Sequence, residues 1–562
     1  VTESSNDSPW VRHRLLVLAG YGALIFIPFL DLRDLWYPNE PHLAQVTQWM
    51  FISGDWVLPR HNGQPFLDYP PMLYWMASIF SHLLGGLSEF AMRLPSALAA
   101  IAVGLATCAA GSRWYDARTG LAAGFVVMTF HRFAYEAISF RPDMLFTVTI
   151  ATGVLAYAHG AGKKPQWEWR VAGFALLGLA MLVKGPLGLL LPGLVLTLWH
   201  GSRREWRRLF ELAPLSLVSL AIYLPWFVAC AGATGSDNIL FELYDQNVQR
   251  FTAGGRGHAQ PFHYYFTTLW FNMAPWALML PFAVWWIFRS GRWRERHVQL
   301  ALWWFGVFIL FLSIATTKRT HYLVPAYPAA ALLLAPWIAS LGRAGETRKP
   351  GAPDPRPARY YAAALAVVLP VFAILLFILA GATEQVMARA ELSGLMLEAG
   401  RAMRLPLALL GVVLLAGGVW IGAAWWRGDA RGGLVRLGLV HLPIFLLAYA
   451  WLLPALNPAK TYKPQSYWIR EQIGDETRIG MVYPGIGRHK TSAFAYYAVV
   501  LVDSMWEPGE VEEFFTRHPG SVVLVHEELA DRIFVGEAAS WKERVLREMW
   551  TGDERYDVLP GP

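Results

Sequence analysis

Cysteine and charge are both scarce in this chain: 562 residues contain two Cys and only 16% Asp, Glu, Lys and Arg. Two cysteines exclude a disulfide framework and an all-thiolate zinc site. Both, Cys108 and Cys230, fall inside apolar runs and read as packing residues. So little charge beside 55% hydrophobic residues and 27 Trp excludes a set of soluble domains. No internal repeat of solenoid length is present, and no Gly-rich phosphate fingerprint stands on a strand-to-helix turn. Residues 1–13 lack a small-residue cleavage pattern, so the first apolar run is expected to be a retained helix. The net charge of +7 does not argue for nucleic acid as a partner. The Arg residues sit in short loops between apolar runs, where they set membrane topology.

What is present is a series of thirteen apolar runs, near 14–30, 95–112, 119–137, 144–161, 167–183, 187–199, 213–233, 268–287, 298–316, 323–340, 361–381, 404–426 and 434–453. Each is a candidate transmembrane helix. The run at 72–86 decides the topology. Read as an interfacial helix, it leaves the basic loops at 113–118, 163–164, 203–208, 289–296, 343–359 and 427–431 all on the cytoplasmic side, as the positive-inside rule requires. The loops at 31–94, 138–143, 234–267, 317–322 and 382–403 then lie on the far side, the periplasm of a bacterial inner membrane, with everything after about residue 453. The expected architecture is an all-α polytopic membrane domain, 1–453, followed by a periplasmic α/β domain, 454–562. In that second part short apolar runs at 478–483, 496–502 and 521–526 alternate with charged, turn-rich segments such as 507–517.

The outward loops hold the residues that could carry chemistry. Glu40 opens a segment whose apolar positions Leu43, Val46 and Met50 alternate with His42, Gln45 and Gln48, the pattern of a helix lying on the interface. Asp143, after Arg141-Pro142, could orient a substrate or merely begin a helix. Lys184 interrupts an apolar stretch; intramembrane ionisable groups are functional candidates, although a lone Lys can also snorkel to the surface. His258 and His263 are five residues apart, neither a helical metal pair nor a zinc-finger spacing.

Several of these residues stand in motifs. Glu40 after the first apolar run, Gly54-Asp55-Trp56, Asn62-Gly63, Asp68-Tyr69-Pro70-Pro71 and Arg93-Leu94-Pro95-Ser96 follow one another in an order that resembles the ArnT and protein O-mannosyltransferase-like branch of the GT-C glycosyltransferases. That branch includes the lipid A aminoarabinose transferases. The resemblance implies a GT-C fold and an inverting transfer from a polyprenyl-phosphate sugar. Undecaprenyl phosphate would carry the sugar, 4-amino-4-deoxy-L-arabinose, to a lipid A phosphate. Another sugar such as a hexosamine or mannose, or a protein or glycan acceptor, is the alternative within that chemistry, and a lipid-glycan transporter is the alternative outside it.

By the same resemblance Glu40, or its neighbour Asn39 where the family usually has Asp, and Asp143 are the expected catalytic residues. Lys184-Gly185-Pro186 and Lys318 to Pro325, with Tyr322, match family segments at the cavity. Many relatives have Lys at the position of Tyr69. The donor phosphate is therefore expected on Arg60, Lys184, Arg250 or Arg256, with Tyr69 and Tyr322 beside it. No cofactor is required by this reading; if a divalent metal takes part, Asp68, His258 and His263 are its candidate ligands.

Overall fold

Each of the thirteen apolar runs is helical in the structure, a computed structural model that describes residues 9–36, 38–162, 164–235, 240–241, 245, 249, 259–341, 351–389, 394–474, 477–483, 488–533, 542–551 and 554–561. Among the described residues seven helices are long and apolar enough to cross a membrane. Tyr264–Asn272 and Ala277–Arg289, bent by 117°, make an eighth if they form one span. Arg14–Phe26, Ala117–Met128 and Leu187–Ser202 are apolar but shorter, while Pro142–Gly160 and Trp167–Lys184 have 19 and 18 residues. The segment expected to lie on the interface is the helix Met72–Leu83. At 1.5 Å per residue its 12 residues reach about 18 Å, less than a hydrocarbon core of about 30 Å.

Small residues let these helices approach closely, as they do wherever lipid supplies no hydrophobic drive for association. A Cβ added at Gly120 would lie 2.5 Å from the carbonyl oxygen of Cys108, so Ala117–Met128 can press on Glu89–Trp114 only with glycine there. Cys108 and Cys230 are buried and unpaired, in keeping with a packing role. The run at 119–137 is divided: its helix stops at Met128 and a separate seven-residue helix, His131–Ala137, follows a break at Thr129-Phe130.

Beyond the last long helix the chain forms Lys463–Ile473 and then a five-stranded sheet of β3 (Arg478–Val482), β4 (Leu501–Met505), β5 (Val522–His526), β6 (Arg547–Thr551) and β7 (Glu554–Pro560). The order is β4-β3-β5-β7-β6, with β3 parallel to β4 and β5 and the β5-β7-β6 edge antiparallel. One face packs under Ile469, Phe494 and Tyr556, the other under Val511, Phe514 and Phe515. The segment at 507–517, expected to be turn-rich, is largely the helix Pro508–Arg517, started by a capping box between Glu507 and Glu510. The apolar run at 496–502 is shared between the end of the helix Arg488–Ala498 and the start of β4.

The hairpin of β1 (Arg60–His61) and β2 (Gln64–Pro65) joins the membrane part to this sheet. Asn62, at its tip with φ +50°, donates to the Val502 carbonyl at 2.5 Å and accepts from the Val502 amide at 2.8 Å, so its amide side chain pairs with an edge strand as a backbone would. His61 meets Ser492 at 2.6 Å. Asn457 accepts from the Trp36 indole at 2.9 Å, and Lys463 reaches Glu89 at 2.7 Å and Asp34 at 3.5 Å. The helix Glu40–Ser53 is therefore enclosed, not lying on an open interface: His42, Gln45 and Gln48 are buried along with Leu43 and Val46, and Gln48 donates to the Tyr496 carbonyl at 3.0 Å.

Candidate active site

Two carboxylate clusters lie at the end of the bundle that faces this sheet. The first is built on Glu40, the first residue of its helix, with Pro41 behind it at a position where the missing amide costs nothing. Its Oε1 accepts from Arg33 at 2.9 Å, Arg93 at 3.1 Å and the Phe140 amide at 2.8 Å. Its Oε2 accepts from Arg33 at 2.7 Å, Arg93 at 2.9 Å and the Trp36 amide at 3.3 Å. Arg93 also donates to the Leu30 and Asp34 carbonyls. Burial alone would push the Glu40 carboxyl up, but the two guanidiniums outweigh it and hold it well below the usual carboxylate range. Glu40 is thus permanently charged, with its acceptor capacity used.

The second cluster is built on Asp143, in the first turn of Pro142–Gly160, and on Lys184, the last residue of Trp167–Lys184. An acid at a helix start and a base at a helix end each complement the local dipole. Gly185, with φ +66°, and Pro186 turn the chain into the next helix, so the ammonium stands at the lip between the two. Lys184 Nζ lies 2.5 Å from Asp143 Oδ1, and His321 Nε2 lies 4.0 Å from Oδ2. The ammonium also faces the Tyr322 ring at 5.3 Å and the Phe146 ring at 5.4 Å.

Behind Asp143 sits a fully buried Glu136, 2.5 Å from Arg132 and 3.6 Å from Arg141. Neither of its oxygens has a hydrogen bond of good geometry among the described residues, and nor does Arg132 Nε. Arg132 Nη2 meets His321 Nδ1 at 3.3 Å. Three fixed cations, Lys184, Arg132 and Arg141, thus surround two carboxylates, Asp143 and Glu136. The imbalance of one positive charge, with donors left unused, suits an anionic ligand. Phe140, whose amide binds Glu40, precedes Arg141 and so ties the two clusters together.

Of the residues expected to carry the site, Asp143, Lys184 and Tyr322 come together, and Tyr69 stands within electrostatic reach of Lys184. Arg60 instead donates to the Gly63 carbonyl at 3.2 Å inside its own hairpin. Asn39 flanks the helix start without a side-chain capping bond. Gly54-Asp55-Trp56 is a turn: Gly54 ends the helix with φ +69°. Asp55 accepts from the Val57 and Leu58 amides, and the Trp56 carbonyl accepts from Trp75.

Arg250, Arg256 and His258 lie outside the described residues. His263 is exposed at the start of Tyr264–Asn272 and Asp68 is half-buried; among the described residues no three His, Cys, Asp or Glu are grouped to hold a metal ion. Arg132 and Glu136 were not anticipated. Their signal is two charges inside the apolar run at 119–137, the same kind of signal that marks Lys184.

A family model described as dolichyl-phosphate-mannose-protein mannosyltransferase matches residues 68–228, which contain Arg93, Glu136, Asp143 and Lys184. A protein of Pseudomonas aeruginosa (strain UCBPP-PA14), named undecaprenyl phosphate-alpha-4-amino-4-deoxy-L-arabinose arabinosyl transferase, is 32% identical over 57% of this chain and 58% of its own length. A protein of the same name from Enterobacter sp. (strain 638) is 27% identical over 58% of this chain and 59% of its own. The chain thus matches somewhat over half the length of these relatives. The crystal structure of ArnT from Cupriavidus metallidurans bound to undecaprenyl phosphate superposes with a TM-score of 0.76 at 20% identity, covering 98% of this chain and 99% of that one. The chain shares the fold of that ArnT structure, and its apolar helices make it a multi-pass membrane protein. In sequence, the chain is similar over part of its length to these aminoarabinose transferases and to the mannosyltransferase family model.

Proposed function

We propose that this chain is a glycosyltransferase of the bacterial inner membrane. It moves 4-amino-4-deoxy-L-arabinose from undecaprenyl phosphate to a phosphate of lipid A, with its site and C-terminal sheet on the periplasmic side. The observation that carries this reading is the Asp143 cluster: an excess of positive charge and a Lys184 ammonium at a helix lip, on the chain end opposite the basic loops. The names of the matched relatives support the donor.

In this reading Lys184 and Arg141 bind the donor phosphate, and Tyr322 and Tyr69 wall the sugar. An oxygen of the lipid A phosphate attacks the anomeric carbon as the bond from that carbon to the phosphate oxygen of the donor breaks. Undecaprenyl phosphate departs with the electron pair, inverting the configuration. Its developing charge is met by cations already in place in a water-poor site, where fixed charge counts for more than in bulk water. The acceptor phosphate is an anion at neutral pH and needs no strong base, so Asp143 orients the acceptor or the sugar amine and holds Lys184.

The test is transfer by the purified chain from undecaprenyl-phosphate aminoarabinose to lipid A, offered beside a hydroxyl-bearing peptide and read by mass spectrometry. Mass added to lipid A is expected. Mass added to the peptide alone would replace the acceptor, and no transfer to either would overturn the assignment.

A further inference from the structure

A cavity of about 570 Å³ lies far from the carboxylate clusters, lined by Arg113, His159, Lys164, Trp199, Arg296 and His297 among others. Four helices relate the two places. Arg113 ends Glu89–Trp114, His159 ends the helix that Asp143 begins, Trp199 is in the last turn of Leu187–Ser202, and Arg296 begins the helix that leads to Lys318 and Tyr322. Pro142–Gly160 is 19 residues long, about 28 Å. The cavity is therefore about one hydrocarbon thickness away from the active site, at headgroup level on the opposite face. Trp167, Trp169 and Trp206 are exposed at that same end, as interfacial aromatics are.

Its chemistry is one-sided. Among the described residues no Asp or Glu lines the cavity. Arg296 is anchored and only partly paired: its guanidinium lies 4.4 Å over the Trp199 ring and one amino group contacts Glu205, a carboxylate that Arg203 also holds, while Nη2 is buried with no hydrogen-bond partner among the described residues. Arg113 and Lys164 are exposed at the rim. A fixed guanidinium with a free donor, backed by two exposed cations, is a receptor for a phosphate oxygen anion. Basic pockets between helices at the cytoplasmic headgroup level bind anionic lipids by these means.

We infer that this cavity binds the phosphodiester headgroup of an anionic phospholipid from the leaflet opposite the active site. The inference requires only that the chain span the bilayer and is independent of which sugar is moved. It is tested by reconstituting the full chain in nanodiscs of phosphatidylcholine with one-fifth phosphatidylglycerol and counting retained phosphatidylglycerol by native mass spectrometry. Wild type is compared with the double variant Arg113→Gln, Lys164→Gln and, separately, with Arg296→Gln. Each cation near an anionic headgroup contributes roughly a factor of five, so the double variant should retain about twenty-five-fold less phosphatidylglycerol. The exposed positions changed should leave its thermal unfolding unaltered. Equal retention by wild type and the double variant would overturn the inference. Displacement of the bound lipid by millimolar inorganic phosphate would assign the cavity to a soluble anion instead and overturn the lipid assignment.

Discussion

Glu40 and Asp143 are both buried carboxylates facing the same sheet, yet their surroundings differ in kind. Six hydrogen bonds from two Arg side chains and two backbone amides converge on Glu40, which leaves nothing on it for a substrate. Among the described residues Asp143 has one close partner, Lys184, and a more distant His321, and behind it stands a Glu136 that is paired to Arg132 without a well-formed hydrogen bond. A saturated cluster fixes the shape of a site, whereas an unsaturated one with surplus charge is where a ligand completes the network. On this contrast Glu40 holds the 138–143 loop through Phe140, and under the proposed function Asp143 and Lys184 are the residues left to meet the substrates.

The largest effect is expected where the saturated cluster is broken. Glu40→Gln leaves Arg33 and Arg93 facing each other in a buried site, a change that typically costs about 3–5 kcal/mol, read as a lower unfolding temperature in detergent. Because the folded-state pKa of Glu40 is depressed, its stabilisation is fully present above the unfolded value near 4.3 and is lost as pH falls through the folded value. The gap between wild type and Glu40→Gln should therefore be full at pH 7 and begin to shrink only below about pH 4, continuing to shrink as the pH falls further. An equal gap at both pH values would mean that Glu40 is not held charged.

Lys184→Ala breaks the contrast from the other side. With Lys184 as the donor-phosphate partner proposed above, the change should weaken donor use by about 2–5 kcal/mol, measured as kcat/KM for the polyprenyl-phosphate sugar, with Lys184→Arg restoring part of it. Unchanged donor use would move the phosphate to other cations.

How much of this was legible in the sequence depends on what each residue needed. Asp143 and Lys184 stood out as charges at the edges of apolar runs, and Tyr322 only through the family segment at 318–325; that the three come together is a feature of the folded chain. Arg132 and Glu136 were hidden because they fall in a run that reads as one apolar helix. The break at Thr129-Phe130, which turns them inward, is a tertiary feature. Glu40 was visible as an acid at a helix start, but its saturation depends on Arg93, 53 residues away, and on Phe140, 100 residues away, and no local pattern encodes that. The same holds for Asn62-Gly63. The dipeptide reads as a turn, and only the folded chain brings it against β4. The sheet itself was legible from its short apolar runs, while its register and its docking on Glu40–Ser53 were not.

The smallest effect is expected at that dock. Asn62→Ala removes both bonds to Val502 and should cost about 1–3 kcal/mol, read as faster hydrogen exchange in β4 and in Glu40–Ser53, with transfer chemistry little changed. A loss of transfer comparable to that of Lys184→Ala would mean the sheet takes part in the site and the two clusters are not separable.

The most direct test of the contrast is single-turnover transfer to lipid A by Asp143→Asn between pH 6 and 9, from a saturating polyprenyl-phosphate sugar. If Asp143 orients an acceptor that is already ionised, the rate is lowered and its pH profile runs parallel to that of wild type. A rate that climbs toward wild type as the pH rises would show a proton that Asp143 normally removes. That result would contradict both the phosphate acceptor and the role assigned to the cluster.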